Sequence, residues 1–245
     1  YQTVRVPGKL QPPLPALSRD VREIRKPLET LLKVVQQSSR DVVVLYDGLD
    51  RLIGPEKFWA VAHQDLRVLR QLQVSVLAAA PLSVLYGTGR PVSEHFDRVH
   101  HVHTLPTEPE KAGILRAVLE QRGATELLGP EQVERVCAVS GGVLRDLITL
   151  ARDAGEEAYF TGSSEVRMED VDKAVHQLGA GYYRGLGPAQ RKALTALEKT
   201  KAFDPNSSVN MEFLVTRRVL EYSATDFRVH PALLPFIGGV ETRVA

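Results

Sequence analysis

One cysteine, Cys137, stands among 245 residues. A single thiol excludes an intramolecular disulfide framework and fits a reducing compartment, so a cytoplasmic setting is expected. No apolar run approaches the ~18 residues a membrane span needs, and no signal-peptide pattern opens the chain. Charge of one sign is not in excess either: 31 basic residues face 30 acidic ones, a formal net charge of +1. That balance removes the reason to expect a polyanion as main partner, although a local basic patch stays open. There is no internal repeat and no low-complexity tract. No serine, nor Cys137, sits in a nucleophile-elbow or comparable context, so no Ser/His/Asp or Cys/His arrangement is defined. What is present is 43% hydrophobic and 25% charged, the composition of a globular chain. At ~100–200 residues per domain this gives one large or two modest domains. The first residue is Tyr1 rather than Met, and a fragment of something longer is expected.

Residues 1–19 carry Pro7, Pro12, Pro13 and Pro15 with little periodicity and read as an extended arm. Ile24, Leu28, Leu31, Leu32 and Val35 form a helical stripe over Val21–Gln37, with Pro27 as a candidate helix start. Val42–Leu45 is a continuous β-branched and apolar run, the pattern of a strand buried on both faces. Gly54-Pro55-Glu56 reads as a helix start, with proline first and an acid in the first turn. The stripe Phe58, Val61, Leu66, Leu69, Leu72 carries that helix on, and Val74–Ala80 is a second strand. Strand, helix, strand with short joints predicts a parallel α/β sheet. His101–Leu105 is a candidate third strand. Helices are expected over Glu108–Gly123, Pro130–Ser140, Val143–Tyr159, Met168–Leu178 and Ala189–Thr200. Phe213–Tyr222 and Phe227–Leu234 suggest a helix running into a two-strand wing. The expected division is 1–105 as an α/β core portion, 106–184 as a helical part and 185–245 as a small winged-helix-like module.

The first strand runs directly into Asp47, Gly48, Leu49 and Asp50, followed by Arg51. A parallel strand delivers ligand-binding groups at its C-terminal edge. Asp47, just beyond that edge, is placed to hold a hydrated Mg²⁺, a cation that prefers oxygen ligands. Gly48 permits a sharp turn close to a phosphate, and Asp50 can face the same pocket and orient a water for attack on a γ-phosphate. Arg51 suits a carboxylate or a neighbouring subunit. The alternative is a strand ending in an Asp-Gly turn, with Asp50 capping a helix. The apolar run, the acid pair and the next strand at the right distance favour the phosphate-site reading.

"VVVLYDGLDRL", residues 42–52, resembles the Walker B segment of P-loop NTPases, especially the STAND and NACHT classes and the related KAP and AAA+ ATPases. Those carry hhhhD-x-x-D/E, often as DGLD or DDLDR. The resemblance implies an α/β P-loop NTPase fold with a parallel sheet, a helical lid and a C-terminal winged-helix-like module. It makes Asp47 the Mg²⁺-associated acid and Asp50 the catalytic acid. "VSVLAAAPLSVLY", residues 74–86, resembles the sensor-1 strand, where Ser83 stands in place of the usual Asn, Thr or Arg. "VSGGVLRDLITLARDA", residues 139–154, resembles the lid of origin-recognition-like AAA+ and STAND proteins, which casts Arg145 as the sensor-2 arginine reaching the nucleotide. Its alternative is a solvated arginine paired with Asp146 or Asp153. Residues 217–237 resemble the wing of winged-helix modules appended to such ATPases.

No G-x-x-x-x-G-K-[ST] occurs. Pro7-Gly8-Lys9-Leu10 lacks the first glycine and the hydroxyl residue. Gly87-Thr88-Gly89-Arg90 lacks the lysine and a strand-to-helix context. The phosphate loop is expected upstream, or lost in a non-hydrolysing scaffold. Arg98, and less so Arg90, fall where AAA+ proteins present an arginine finger; for Arg98, pairing with Asp97 or Glu94 is the simpler reading. In "HHVH", His100, His101 and His103, strand spacing turns His101 and His103 to one face. That could suit a metal, but no nearby cysteine or carboxylate completes a site, and a polar strand edge is preferred. His230-Pro231 reads as a strand-end turn. Arg217, Arg218 and Arg228 could touch DNA phosphates, yet Glu212 and Glu221 interrupt any basic stripe, which favours an intramolecular or protein-contact role.

The resulting expectation is an ATP- and Mg²⁺-dependent molecular switch whose nucleotide state controls oligomer assembly or domain opening, in signalling or defence. Self-association or a partner protein is expected, DNA is a possible partner, and a membrane is not expected. The rivals are an origin-recognition-like DNA-binding ATPase and an inert ATPase-fold scaffold.

Overall fold

The computed structural model describes residues 21–38, 42–52, 55–72, 74–86, 92 and 96–238. Two compact units divide between Pro81 and Leu82. The expected boundaries at 105 and 184 both fall inside the second unit. Within that unit Thr104 N–H donates to the Glu221 carbonyl at 2.9 Å, and Ala232 is buried in the core of the helices that precede it.

The first unit contains α1 (Val21–Ser38), β1 (Val43–Tyr46), α2 (Pro55–Val61), α3 (Arg67–Gln71) and β2 (Ser75–Ala78). Pro27 lies inside α1 rather than at its start. There it removes one backbone donor without ending the helix. Pro55 opens α2 with Glu56 in its first turn, and a π-turn over Ala62–Leu66 joins α2 to α3. β1 and β2 pair in parallel, Val43 opposite Ser75 and Tyr46 opposite Ala78. The expectation of strands buried on both faces is corrected: Val43 is 56%, Leu45 69% and Leu77 65% exposed. A run of apolar residues reports what a strand can bury. Whether both faces are covered depends on neighbours, and this two-stranded sheet leaves one face open.

In the second unit, α4 (Gly113–Gln121), α5 (Pro130–Val139), α6 (Leu144–Phe160) and α7 (Met168–Tyr183) form a helical bundle. Its core holds Leu115 and Leu119 from α4, Val136 and Cys137 from α5, Leu147 and Leu150 from α6, and Val171 and Ala174 from α7. The i, i+3, i+4 recurrence in each helix makes that stripe. His101–Leu105 is not a strand: it joins no sheet ladder, and among the described residues Thr104 N–H to the Glu221 carbonyl is its backbone hydrogen bond to the hairpin. α8 (Pro188–Thr200) and α9 (Ser208–Val215) follow, then the antiparallel hairpin β3 (Val219–Ser223) and β4 (Asp226–Val229), and α10 (Leu234–Ile237). Leu194, Leu197, Phe213, Leu214, Val219, Phe227 and Leu233 make a second core. Among the described residues no helix is long and apolar enough to cross a membrane.

Cys137, 1% exposed, illustrates how dry the bundle is. Burial, reinforced by Glu134 and opposed by Arg116, pushes its thiol up to about 11. At pH 8 alkylation of the folded protein is expected to run roughly 100-fold slower than that of the urea-unfolded chain, because thiolate is the reactive form. Equal rates would mean that α5 opens readily.

Candidate functional site

The C-terminal ends of two parallel strands define the first candidate. Ala79 N–H donates to the Tyr46 carbonyl at 3.1 Å, continuing the pairing one step past the strands. Asp47 follows Tyr46 directly. Gly48 then turns the chain at φ 87° and ψ −3°, a left-handed conformation that favours glycine. Leu49–Arg51 forms one 3-10 turn with Leu49 buried beneath it. Asp50 is in the middle of that turn, not at a helix cap. The carboxyl-bearing residues Asp47 and Asp50 are both exposed. A Cβ built on Gly48 meets nothing within 4 Å, so there is open space beside the tip. Two accessible carboxylates three positions apart are a hard-oxygen donor set of the kind Mg²⁺ accepts while keeping waters; the residues fit that ion. Tyr46 is fixed to the π-turn by its hydroxyl, which donates to Asp65 Oδ2 at 3.1 Å. Burial, with Asp65 adding to it, raises the Tyr46 phenol.

The remaining sequence-derived candidates belong to the second unit and to separate elements. Ser83 is buried in a 3-10 turn over Leu82–Val84. Arg98 is exposed in irregular chain, and Arg145 is exposed at the second position of α6. Arg90 and Glu94 lie outside the described residues, as do both imperfect glycine-rich stretches, residues 7–10 and 87–90.

The turn that opens α6 is tightly constrained. Gly141 has φ 60° and Gly142 φ 81°. A Cβ on Gly142 would come within 1.8 Å of the Leu105 carbonyl oxygen. Ser140 is wholly buried; its hydroxyl donates to the Cys137 carbonyl at 2.7 Å and accepts from Gly142 N–H at 3.1 Å. The Tyr222 hydroxyl, from β3, donates to the Gly141 carbonyl at 2.8 Å. Burial pushes that phenol up to about 12. Arg145 is therefore presented by a turn held from three directions.

The acidic partners considered for Arg145 are engaged elsewhere. Asp153 accepts from Arg152 Nε and Nη2 at 2.9 and 2.7 Å. Asp146 is 5% exposed; its Oδ2 accepts from the Tyr182 hydroxyl at 2.6 Å and lies 3.2 Å from His230 Nε2. His230 Nδ1 accepts from Ala232 N–H at 3.2 Å, which assigns the proton to Nε2 and makes that nitrogen the donor to Asp146. Desolvation first, and the Asp146 bond second, raise the Tyr182 phenol. His230 therefore does more than end a strand. This trio, a half-buried tyrosine with a buried aspartate and histidine at positions 182, 146 and 230, has no local sequence signal. Asp146→Ala is expected to destabilise the fold by about 2–4 kcal/mol, since it strands a buried imidazole and a half-buried phenol. Urea unfolding measures it, and a loss below about 1 kcal/mol would show that water replaces the carboxylate.

Arg218, just before the hairpin, and Arg228 within it are engaged inside the fold. Arg218 Nε and Nη2 donate to the Tyr182 and Arg184 carbonyls at 3.0 and 3.1 Å. Arg228 binds Asp226 and Glu108 and stacks 4.7 Å from the Tyr222 ring centroid. These contacts fasten the hairpin to the helical part.

No protein-family model matches the chain, and no curated protein matches it. Among solved structures it is similar to the ORC2 protein of Aeropyrum pernix, described as ADPNP-ADP complexes, at 15% identity and a TM-score of 0.49 over 92% of this chain and 71% of that one. It is also similar to the RuvB Holliday junction branch migration motor of Thermotoga maritima, at 14% identity and a TM-score of 0.43 over 89% of this chain and 94% of that one. Likeness this loose assigns neither family nor function, and the residues themselves carry the reading that follows.

Proposed function

We propose that the chain is part of a P-loop ATPase of the AAA+/STAND kind, a switch that binds and hydrolyses ATP. The observation that carries this reading is the acid pair: Asp47 and Asp50, both exposed, flank a left-handed glycine at the C-terminal end of a parallel strand pair. That is where parallel sheets present ligand-binding groups. Asp47 would hold Mg²⁺, which when bound neutralises phosphate charge. Asp50 accepts a proton from, or orients, the attacking water. Arg145, on the first turn of α6, clamps a phosphate with its guanidinium fork. Ser83 is the sensor hydroxyl; Arg98 is the candidate for a neighbouring subunit's nucleotide, with pairing to Asp97 or Glu94 the simpler role. The bundle acts as a lid that nucleotide draws closed, with the hairpin as a wing packed on it, a two-state element biased by ligand.

The 245 residues hold no G-x-x-x-x-G-K-[ST] loop to cradle the phosphates, so this chain alone binds ATP weakly. Steady-state ATP hydrolysis by a longer protein that carries the upstream residues is the test. Turnover there, and little in the 245-residue chain, supports the proposal. A longer protein that binds no nucleotide overturns it in favour of an inert scaffold. The origin-recognition-like alternative predicts duplex binding that falls steeply with salt. The engagement of Arg218 and Arg228 inside the fold favours a protein-contact role instead, and no salt-sensitive duplex binding by the 245-residue chain is expected in an electrophoretic shift experiment.

A further inference from the structure

We propose that His101, His103 and Glu221 form a binding site for a divalent transition metal, with zinc as the ion their chemistry suits best. His101 Nε2 lies 3.3 Å from Glu221 Oε2, and His103 Nε2 lies 3.7 Å from Glu221 Oε1. One ligand atom from each residue falls within 4.8 Å of the others. The two rings are nearly in contact, with centroids 4.3 Å apart. The sequence supplies the first half of this set by simple spacing, since residues two apart on extended chain share a face. The carboxylate comes from β3, far along the chain, and completes what "HHVH" alone left unfinished.

Three features separate this cluster from an ordinary polar edge. Glu221 is 4% exposed, and a buried carboxylate requires a compensating cation or donors. His101 Nε2, His103 Nε2 and Glu221 Oε2 are all buried, yet none makes an aligned hydrogen bond. Buried polar atoms left in that state are uncommon, and three of them facing one another are a donor set without its acceptor. Their separations also match. Zinc–ligand bonds of ~2.0–2.1 Å in tetrahedral geometry place ligand atoms roughly 3.4 Å apart, and each imidazole nitrogen lies near that distance from one carboxylate oxygen, His101 from Oε2 at 3.3 Å and His103 from Oε1 at 3.7 Å.

The surroundings supply what a metal centre needs beyond its ligands. The Tyr86 hydroxyl donates to Glu221 Oε1 at 2.5 Å, orienting the carboxylate as an outer partner does. The Glu221 backbone is fixed by Thr104 N–H. Beside the cluster is a cavity of about 130 Å³ lined by His101, Thr104, Val143, Leu214, Arg217 and Glu221, among others. Two of the three ligand residues, His101 and Glu221, line this cavity, which has room for a water or, with Arg217 in its wall, a small anion to complete the coordination. Two imidazoles and one carboxylate suit Zn²⁺, Co²⁺ or Ni²⁺ and not Mg²⁺ or Ca²⁺, which take oxygen ligands. Bound metal would clip the 101–104 segment to the hairpin.

The test is titration of the EDTA-treated 245-residue chain with Co²⁺, followed by visible absorption, and displacement of Co²⁺ by Zn²⁺. One equivalent with the d–d spectrum of low coordination number is expected. His103→Ala and Glu221→Gln should each weaken Co²⁺ binding at least ~100-fold, and Tyr86→Phe about 10-fold, as loss of an outer partner does. Zn²⁺ should raise the melting temperature of the unsubstituted chain and leave that of His103→Ala unchanged. Circular dichroism shows whether each variant is folded; if His103→Ala is not, Glu221→Gln and Tyr86→Phe decide. Absence of saturable Co²⁺ binding, or an affinity unchanged in the folded variants, would overturn the site.

Discussion

Asp50→Asn is expected to lower the kcat of ATP hydrolysis about 100-fold or more in a longer protein that carries the upstream residues, the typical worth of a positioned acid or base. ATP affinity is expected to stay near its unsubstituted value. The substitution keeps the shape of the side chain and removes its charge. Asp50 is exposed in a 3-10 turn whose backbone is set by Gly48 before it and by Leu49 beneath it, so stability should change by no more than ~0.5 kcal/mol. A fall in kcat with unchanged affinity assigns Asp50 to the attacking water. A parallel loss of affinity would move it to the metal, alongside Asp47. Unchanged turnover would remove it from the chemistry.

Gly142→Ala should cost about 2–5 kcal/mol of stability, combining ~1–2 for an alanine in left-handed backbone with ~1–3 for overpacking. The obstacle is backbone rather than a side-chain tip: the new Cβ would overlap the Leu105 carbonyl oxygen. Either the turn or the 101–105 segment must move. Arg145 sits three residues on, so a variant that still folds would also misplace that guanidinium. Urea unfolding gives the first effect, and a loss below about 1 kcal/mol would show that the turn is not held as the Ser140 and Tyr222 bonds indicate.

What the sequence made legible was local. The apolar run before Asp47, proline at the first position of α2, and the recurrence of Leu147, Leu150 and Ala154 in α6 each follow from periodicity or capping within one element. The acid pair could be placed at a strand tip for the same reason. What was misread or missed is non-local. The exposure of Leu45 and Leu77 depends on which neighbours cover the sheet. Asp146 stood next to Arg145 in the text but pairs with His230, 84 positions away. Glu221 interrupted a basic stripe in the sequence; in the fold it is the buried partner of Tyr86, 135 positions distant, and faces two histidines.

The central claim, that Asp47 and Asp50 face a metal–triphosphate site at the strand tip, is tested most directly by nucleotide affinity with and without a divalent ion. Mn²⁺ serves as the paramagnetic stand-in for Mg²⁺ in a longer protein that carries the upstream residues, with bound Mn²⁺–ATP followed by electron paramagnetic resonance. Asp47→Asn is expected to lower Mn²⁺-dependent ATP affinity at least about tenfold, as loss of a metal partner does, while metal-free ATP affinity is unchanged. Identical Mn²⁺ dependence in the two proteins would contradict it.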